Sequence, residues 1–308
     1  MNILKNMKIK DGIIGFIVGD ALGVPVEFES RNELQKNPVV SMREYGTYNQ
    51  PKGTWSDDTS MTLATMTSII NKKAIDYEDI MDEFCRWNNY GEYTNSQSKQ
   101  FDIGITTSIA LSNYDEEGMS ALKSGCDGDR SNGNGSLMRV LPLAYIKNID
   151  YETIENISSL THAHERSKIA CVLYVEIAKS MLENDLTIPE HVFNSCDKIK
   201  EYYRDCDELI HFQRIFDNEL DDINGKGYVV YTLECVIHCL LTTDNYKDAV
   251  LKAVNIGEDT DTNAAICGGL AGIYYGYSSI PIDWINSINK IDEVHSLCEK
   301  YDKVSCNL

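Results

Sequence analysis

A chain of 308 residues with 28 Lys and Arg against 48 Asp and Glu carries a net charge of −20. That excludes a nucleic-acid backbone or an anionic membrane surface as the main partner, and any polyphosphate ligand must rely on cations or backbone dipoles. Hydrophobic residues at 43% and charged residues at 25% sit near globular averages, which excludes disorder and low-complexity scaffolds and allows one sizeable core.

Lys5, Lys8 and Lys10 precede an apolar stretch at 13–26 as they would in a leader peptide, but Asp11 and Asp20 interrupt it and no small-residue cleavage site follows. No run of about 18 apolar residues follows either, so no membrane span is read and a cytoplasmic protein is expected. Residues 13–22 predict a helix that is apolar nearly all round and therefore central. Gly23 and Pro25 should end it, leaving Glu27 on a loop at its C-terminal end.

Helical periodicity recurs at 59–71, 77–88, 105–112, 135–145, 165–183, 189–203, 233–241, 246–254, 262–275 and 294–301. Pro189 suits a first turn and Gly276 a stop. In 165–183, Ala170, Leu173, Ile177 and Met181 share one face, opposite Glu165, Lys168, Glu176, Lys179 and Glu183. That pattern predicts a surface helix packed on a core. Residues 228–232 are β-branched and aromatic but run into an apolar stretch that reads as one buried helix. No repeat or Pro/Ser-rich linker is present. The charged stretch 184–226 reads as a helical insertion with nothing marking it as independent, so a single all-α domain over 1–308 is expected.

Ten cysteines are scattered from Cys85 to Cys306 without CxxC spacing, which points to reduced, packed thiols and not to disulfides or zinc. Cys235, His238 and Cys239 fall at helical spacing and read as core packing. No Gly-x-Ser-x-Gly elbow is present, so covalent acyl transfer lacks support.

Two acidic clusters stand immediately before predicted helices: Ser56-Asp57-Asp58-Thr59 and Glu258-Asp259-Thr260-Asp261-Thr262. Asp, Ser and Thr are the preferred helix N-caps, and capping alone explains one side chain of each. Each cluster holds more acids than a cap requires, and buried together they would repel unless cations were bound. Hard oxygen donors of this kind suit Mg²⁺ or Mn²⁺. Small residues at Gly268, Gly269, Ala271 and Gly272 would let the second helix approach the core closely and bring the two clusters together.

A glycine loop, Gly128-Asp129-Arg130-Ser131-Asn132-Gly133-Asn134-Gly135-Ser136, fits either a phosphate cradle or an ordinary tight turn, and it is not a P-loop. Glu27 is either a solvated loop acid or, with burial raising its pKa, a general acid or base. Of the HxH pair, His162 is expected to cap or to face ligand and His164 to be exposed.

In order, the segments GFIVGDALGVPVEF, GTWSDDTSMTLAT, FDIGITTSIAL, SNGNGSLMRVLPLA, THAH and GEDTDTNAAICGGLAGIYYG resemble the ADP-ribosylglycohydrolase family, with little resemblance across 184–246. The resemblance implies an all-α fold with two divalent ions, Mg²⁺ or Mn²⁺, binding the ribose hydroxyls of ADP-ribose. It implies Ser56, Asp57 and Asp58 as one ligand group and Asp259, Asp261 and Thr262 as the other, with Ser56 standing where the family commonly has Thr. It further implies Ser131, Asn132, Gly133, Asn134, Gly135 and His162 as the substrate-binding set, with Glu27 as a mobile glutamate near the metals and Asp102 as an acid near the bond to be cleaved, these two being the catalytic candidates. Ile105 stands where bacterial relatives usually read Asn.

The implied reaction is hydrolysis of the bond between ADP-ribose and an acceptor on a protein or small molecule, with ADP-ribosyl-arginine first. A non-catalytic ADP-ribose-binding relative and a metal-dependent nucleotide phosphohydrolase are the alternatives.

Overall fold

The computed structural model describes residues 8–95 and 100–308, so Lys5 lies outside the described residues. Among them there are fifteen α-helices and no strand. In chain order they are α1 (Ile9–Gly23), α2 (Arg31–Lys36), α3 (Asp57–Lys72), α4 (Tyr77–Tyr90), α5 (Ile105–Asp115), α6 (Ala121–Ser124), α7 (Tyr151–Ser159) and α8 (Glu165–Glu183). There follow α9 (Ile188–Tyr202), α10 (Gln213–Phe216), α11 (Val229–Leu241), α12 (Tyr246–Asn255), α13 (Thr260–Tyr275), α14 (Ile282–Ile285) and α15 (Ile291–Ser305). No helix among the described residues is long and apolar enough to cross a membrane.

The centre is the pair α1 and α13. Both are apolar on every side and both are buried along nearly their whole length. A β-carbon on Gly15 would lie 2.3 Å from the Gly268 carbonyl oxygen, and one on Gly19 would lie 2.1 Å from that of Ala264. No side chain fits there, so glycine is what lets the two backbones touch. The Tyr246 hydroxyl, from α12, donates to the Gly15 carbonyl at 2.7 Å and closes the crossing from one side.

Two expectations need correction. Residues 135–145 do not form an α-helix; they make two short 3₁₀ turns, Leu137–Arg139 and Leu141–Tyr145. Pro142 has no N–H to donate and disfavours helical φ/ψ at Leu141, so a continuous helix cannot pass. Helix α8 is not a surface helix, because Cys171, Val172, Tyr174 and Val175 are fully buried and Glu176 is nearly so. Elements on both sides cover it, and Glu176 is held by Tyr151 (3.0 Å) and Lys198 (2.5 Å). Helix α7, not foreseen, is capped by Asp150 and buries Ile154 and Ile157 in too short a stretch to give a clear period.

The stretch 184–226 supplies α9, which starts with a Thr187/Glu190 capping box and Pro189 in its first turn. Its stripe Ile188, Val192, Cys196 and Ile199 is buried in the common core. Cys235 and Cys239 are likewise core residues.

Candidate metal and ligand site

The close crossing of α1 and α13 puts Asp20, on the last turns of α1, beside Asp261, in the first turn of α13. Helix α3 points its N-terminus at the same place. Asp20 accepts the backbone N–H groups of Ser56 (2.9 Å) and Thr59 (3.1 Å) and the Thr59 hydroxyl (2.6 Å). Ser56 caps its own helix, accepting from the Asp58 N–H at 3.3 Å and donating its hydroxyl to Asp58 Oδ2 at 2.8 Å. Thr262 donates to the same Asp58 oxygen at 3.3 Å. Three helices therefore converge on Asp20, Asp58 and Asp261, all fully buried.

A second group shares one member with the first. Asp20, Asp58 and Asp261 offer oxygens that all lie within 4.8 Å of one another, and so do Glu27, Asp102 and Asp261. Tyr48 donates its hydroxyl to Asp102, and Asn134 donates to Asp259 Oδ2 at 2.9 Å and to Thr232 at 3.0 Å. Among the described residues, none of Asp20, Glu27, Asp57, Asp58, Asp102, Asp259 and Asp261 forms an ion pair with Lys or Arg.

So much buried acid without a counter-charge disfavours ionisation. Burial first, then Asp102 and Asp259, push Glu27 up to about 10. Burial pushes Asp20 up to about 6 despite its hydrogen bonds. Asp57, Asp58 and Asp261 are raised well above the carboxylate range by burial first, and then by the charges of Asp102, Asp20 and Glu27 respectively. The charge of a bound cation offsets both causes of these shifts.

The residues present fit divalent ions by a direct test. Asp58 Oδ1, Asp261 Oδ2 and Glu27 Oε2 are buried and without hydrogen-bond partners, three orphaned carboxylate oxygens in one site. These orphaned oxygens belong to the two groups that share Asp261, and oxygen-only donor sets select hard cations.

The cluster opens into a cavity of about 510 Å³. Glu27, Asp57, Asp102, Asp259 and Thr262 face it from the acid side, Arg130, Gly133, Asn134 and Gly135 face it from the glycine loop, and His162 faces it from the turn before α8. Phe28, Ile103 and Ile105 stand at its mouth, with Ile105 81% exposed. Backbone strain concentrates at this edge: Phe28, Asp102 and Glu258 all have positive φ, of 66°, 67° and 67°. The Phe28 N–H donates to Glu258 (2.7 Å) and the Glu258 N–H donates to Glu29 (2.8 Å). The loop carrying Glu27 is thereby stapled to the turn that delivers Asp259.

Sequence reasoning placed most of these groups but not all. Asn132 is turned inward, accepting from Ser167 (3.0 Å) and donating to the Asp129 carbonyl (3.0 Å), and Ser131 is not part of the cavity wall. Asn132 thereby ties the loop to α8. His162 does face the cavity, but His164 is not exposed; its side chain is 13% accessible, it caps α8 by accepting from the Arg166 N–H at 3.2 Å, and it meets Asp129 at 3.3 Å. Asp20 and Tyr48 went unassigned. The signal for Asp20 was a carboxylate inside an otherwise apolar helix, since such a group is buried only with partners.

Residues 2–307 match the family described as ADP-ribosylglycohydrolase. The chain belongs to the ADP-ribosylglycohydrolase family. It is 30% identical over 300 residues to the ADP-ribosylarginine hydrolase Tri1 of Serratia proteamaculans, covering 95% of this chain and 78% of that protein. To the ADP-ribosyl-[dinitrogen reductase] glycohydrolase of Rhodospirillum rubrum it is 29% identical over 283 residues, covering 90% and 88%. A solved structure titled ADP-ribosylglycohydrolase-related protein complex superposes with a TM-score of 0.81 at 27% identity, over 97% of this chain and 98% of that one. This all-α family fold is the one expected from the sequence.

Proposed function

We propose that this member of the ADP-ribosylglycohydrolase family is a divalent-cation-dependent hydrolase that cleaves the glycosidic bond between ADP-ribose and an acceptor, with ADP-ribosyl-arginine on protein as the first substrate. The single observation that carries the reading is the pair of carboxylate groups sharing Asp261, with unpartnered oxygens on Glu27, Asp58 and Asp261, of which Glu27 and Asp102 reach a cavity lined on another side by Gly133 and Gly135. The names of the relatives from Serratia proteamaculans and Rhodospirillum rubrum support the linkage and the kind of substrate.

Asp57, Asp58, Asp259, Asp261 and the hydroxyls of Ser56 and Thr262 are the groups that would hold two ions, Mg²⁺ or Mn²⁺, with Asp20 orienting α3 behind them. Bound there, the ions supply positive charge that fixes the ribose hydroxyls and stabilises the charge redistribution as the bond breaks. Gly133, Asn134 and Gly135 line the side of the cavity that would take the diphosphate. Glu27 and Asp102 stand where the ion cluster meets the open cavity, and together they hold the proton that passes from the attacking water to the departing acceptor. A guanidinium is a planar fork of donors, and this carboxylate-rich wall offers it matching acceptors.

The test is product analysis with a panel of mono-ADP-ribosylated acceptors, arginine-linked and serine-linked among them, in Mg²⁺, in Mn²⁺ and after chelation. The reading expects free ADP-ribose and unmodified acceptor, with loss of turnover on chelation. AMP or phosphate as product would make the protein a phosphohydrolase, and binding without turnover would make it a reader.

A further inference from the structure

We infer that His162 faces the ligand as a neutral hydrogen-bond donor through Nε2–H, and that buried Arg139 and Thr161 are positioning residues that fix this tautomer. That the ligand is ADP-ribose rests on the proposed function; the state of the ring does not.

The ring is 2% exposed and lines the cavity. A β-carbon on Gly133 would stand 3.5 Å from Nε2, so this nitrogen looks onto the glycine loop. At the other end, Nδ1 lies 2.8 Å from Thr161 Oγ1. Arg139 Nη2 donates to that same oxygen at 2.6 Å. A guanidinium only donates, so the direction of this bond is fixed. The Thr161 hydroxyl is fully buried and has one proton of its own. Among the described residues, His162 Nδ1 is the acceptor in reach of it. Were Nδ1 protonated instead, the threonine oxygen would accept twice and its own proton would be buried without a partner, which is costly. The arrangement that pairs the Thr161 proton leaves Nδ1 as acceptor and the ring proton on Nε2.

Double protonation is opposed as well. Arg139 is fully buried, with the Phe84 ring 4.8 Å from its guanidinium carbon and Nη1 donating to the Ile157 carbonyl at 3.2 Å. Among the described residues it has no ion-pair partner, so its charge stands uncompensated beside the imidazole. Burial and then Arg139 push His162 down to about 3. The other titratable groups around this network are Cys126, whose backbone pairs with Thr161 and Ala163, Cys171 of α8, in contact with Ser136 at 3.4 Å, and Arg130, Glu27, Asp57, Asp102 and Asp259, which line the same cavity. A protein of net charge −20 thus keeps, on its ligand wall, a donor whose state does not change through neutral pH.

The experiment is long-range ¹H–¹⁵N NMR of ligand-free protein labelled at histidine nitrogen, with His162 assigned by its loss in His162→Gln. The expected spectrum has a protonated Nε2 and an unprotonated Nδ1, unchanged between about pH 5 and 8. In Thr161→Val the ring should move to a mixture of tautomers or to Nδ1–H and ADP-ribose affinity should fall roughly tenfold, the scale of one lost hydrogen bond, with Thr161→Ser restoring both. Nδ1–H in the wild type, titration near neutral pH, or an unaltered tautomer in Thr161→Val would each overturn the inference. Should Thr161→Val not fold, the wild-type spectrum decides alone. Failure of the wild type to bind ADP-ribose would remove the proposed function and leave the tautomer assignment standing.

Discussion

Asp20 caps helix α3 from a different helix: its Oδ2 accepts both the N–H and the hydroxyl of Thr59, at 3.1 and 2.6 Å. A carboxylate from the centre of the fold thus holds the start of the helix that carries Asp57 and Asp58. Removing it leaves buried donors at Ser56 and Thr59 unpaired. Asp20→Ala should lower stability by about 2–4 kcal/mol, measured by denaturant unfolding, and weaken divalent-ion binding with it. Asp20→Asn keeps one acceptor oxygen and should lose less of both.

The contact between α1 and α13 is as specific. Gly19→Ala places a methyl group 2.1 Å from the Ala264 carbonyl oxygen, against backbone that cannot rotate away. The helices must separate, at about 3 kcal/mol, and Asp20 must draw back from Asp261. A fall in both melting temperature and ion affinity checks this. Gly128→Ala, with Ser131 Oγ at 3.8 Å as the nearest contact, should stay within about 0.5 kcal/mol of wild type.

The raised carboxyls give a signed pH dependence. For Asp20, Glu27, Asp57, Asp58 and Asp261 the folded pKa lies above the unfolded one. Their contribution to the stability of ion-free protein is full below about pH 4 and is lost as pH rises through about 6 for Asp20 and about 10 for Glu27. Divalent ions favour the ionised forms, so the melting-temperature gap between Mg²⁺-loaded and stripped protein should widen from pH 5 to pH 9. A gap that narrows over that range would contradict the assignment of Asp57, Asp58 and Asp261 to ion binding.

Glu27→Gln keeps size and hydrogen-bonding capacity but removes the proton acceptor. Turnover should drop by roughly 10²-fold or more while ADP-ribose affinity stays within a small factor. Steady-state kinetics and calorimetric titration separate the two. Equal losses would assign Glu27 to holding ligand, and no loss would move the proton-handling role to Asp102.

How far the site could be read from sequence depended on how local its causes are. Asp57, Asp58, Asp259 and Asp261 are legible because helix starts are encoded within a few residues, and an excess of acid there is visible without a fold. The glycines of α13 announce a close approach, although their partner, α1, does not follow from sequence. Asp20 was opaque because its partners lie 36 and 39 residues away. Asn132 and Asn134 look equivalent in the loop, yet one bonds Ser167 behind it and the other bonds Asp259 in front. Which way each points is set by pairing of the loop with the segment before α11, where Asn134 N–H donates to the Gly227 carbonyl at 3.0 Å and Val229 N–H to that of Asn132 at 3.0 Å.

The most direct test of the account is anomalous diffraction from crystals grown with Mn²⁺, comparing wild type with Asp261→Asn. The account predicts two manganese peaks at the Asp57, Asp58, Asp259 and Asp261 carboxylates in the wild type, with one or both lost in the variant. Full occupancy of two ions elsewhere, or no peak near Asp261 at saturating Mn²⁺, would contradict it.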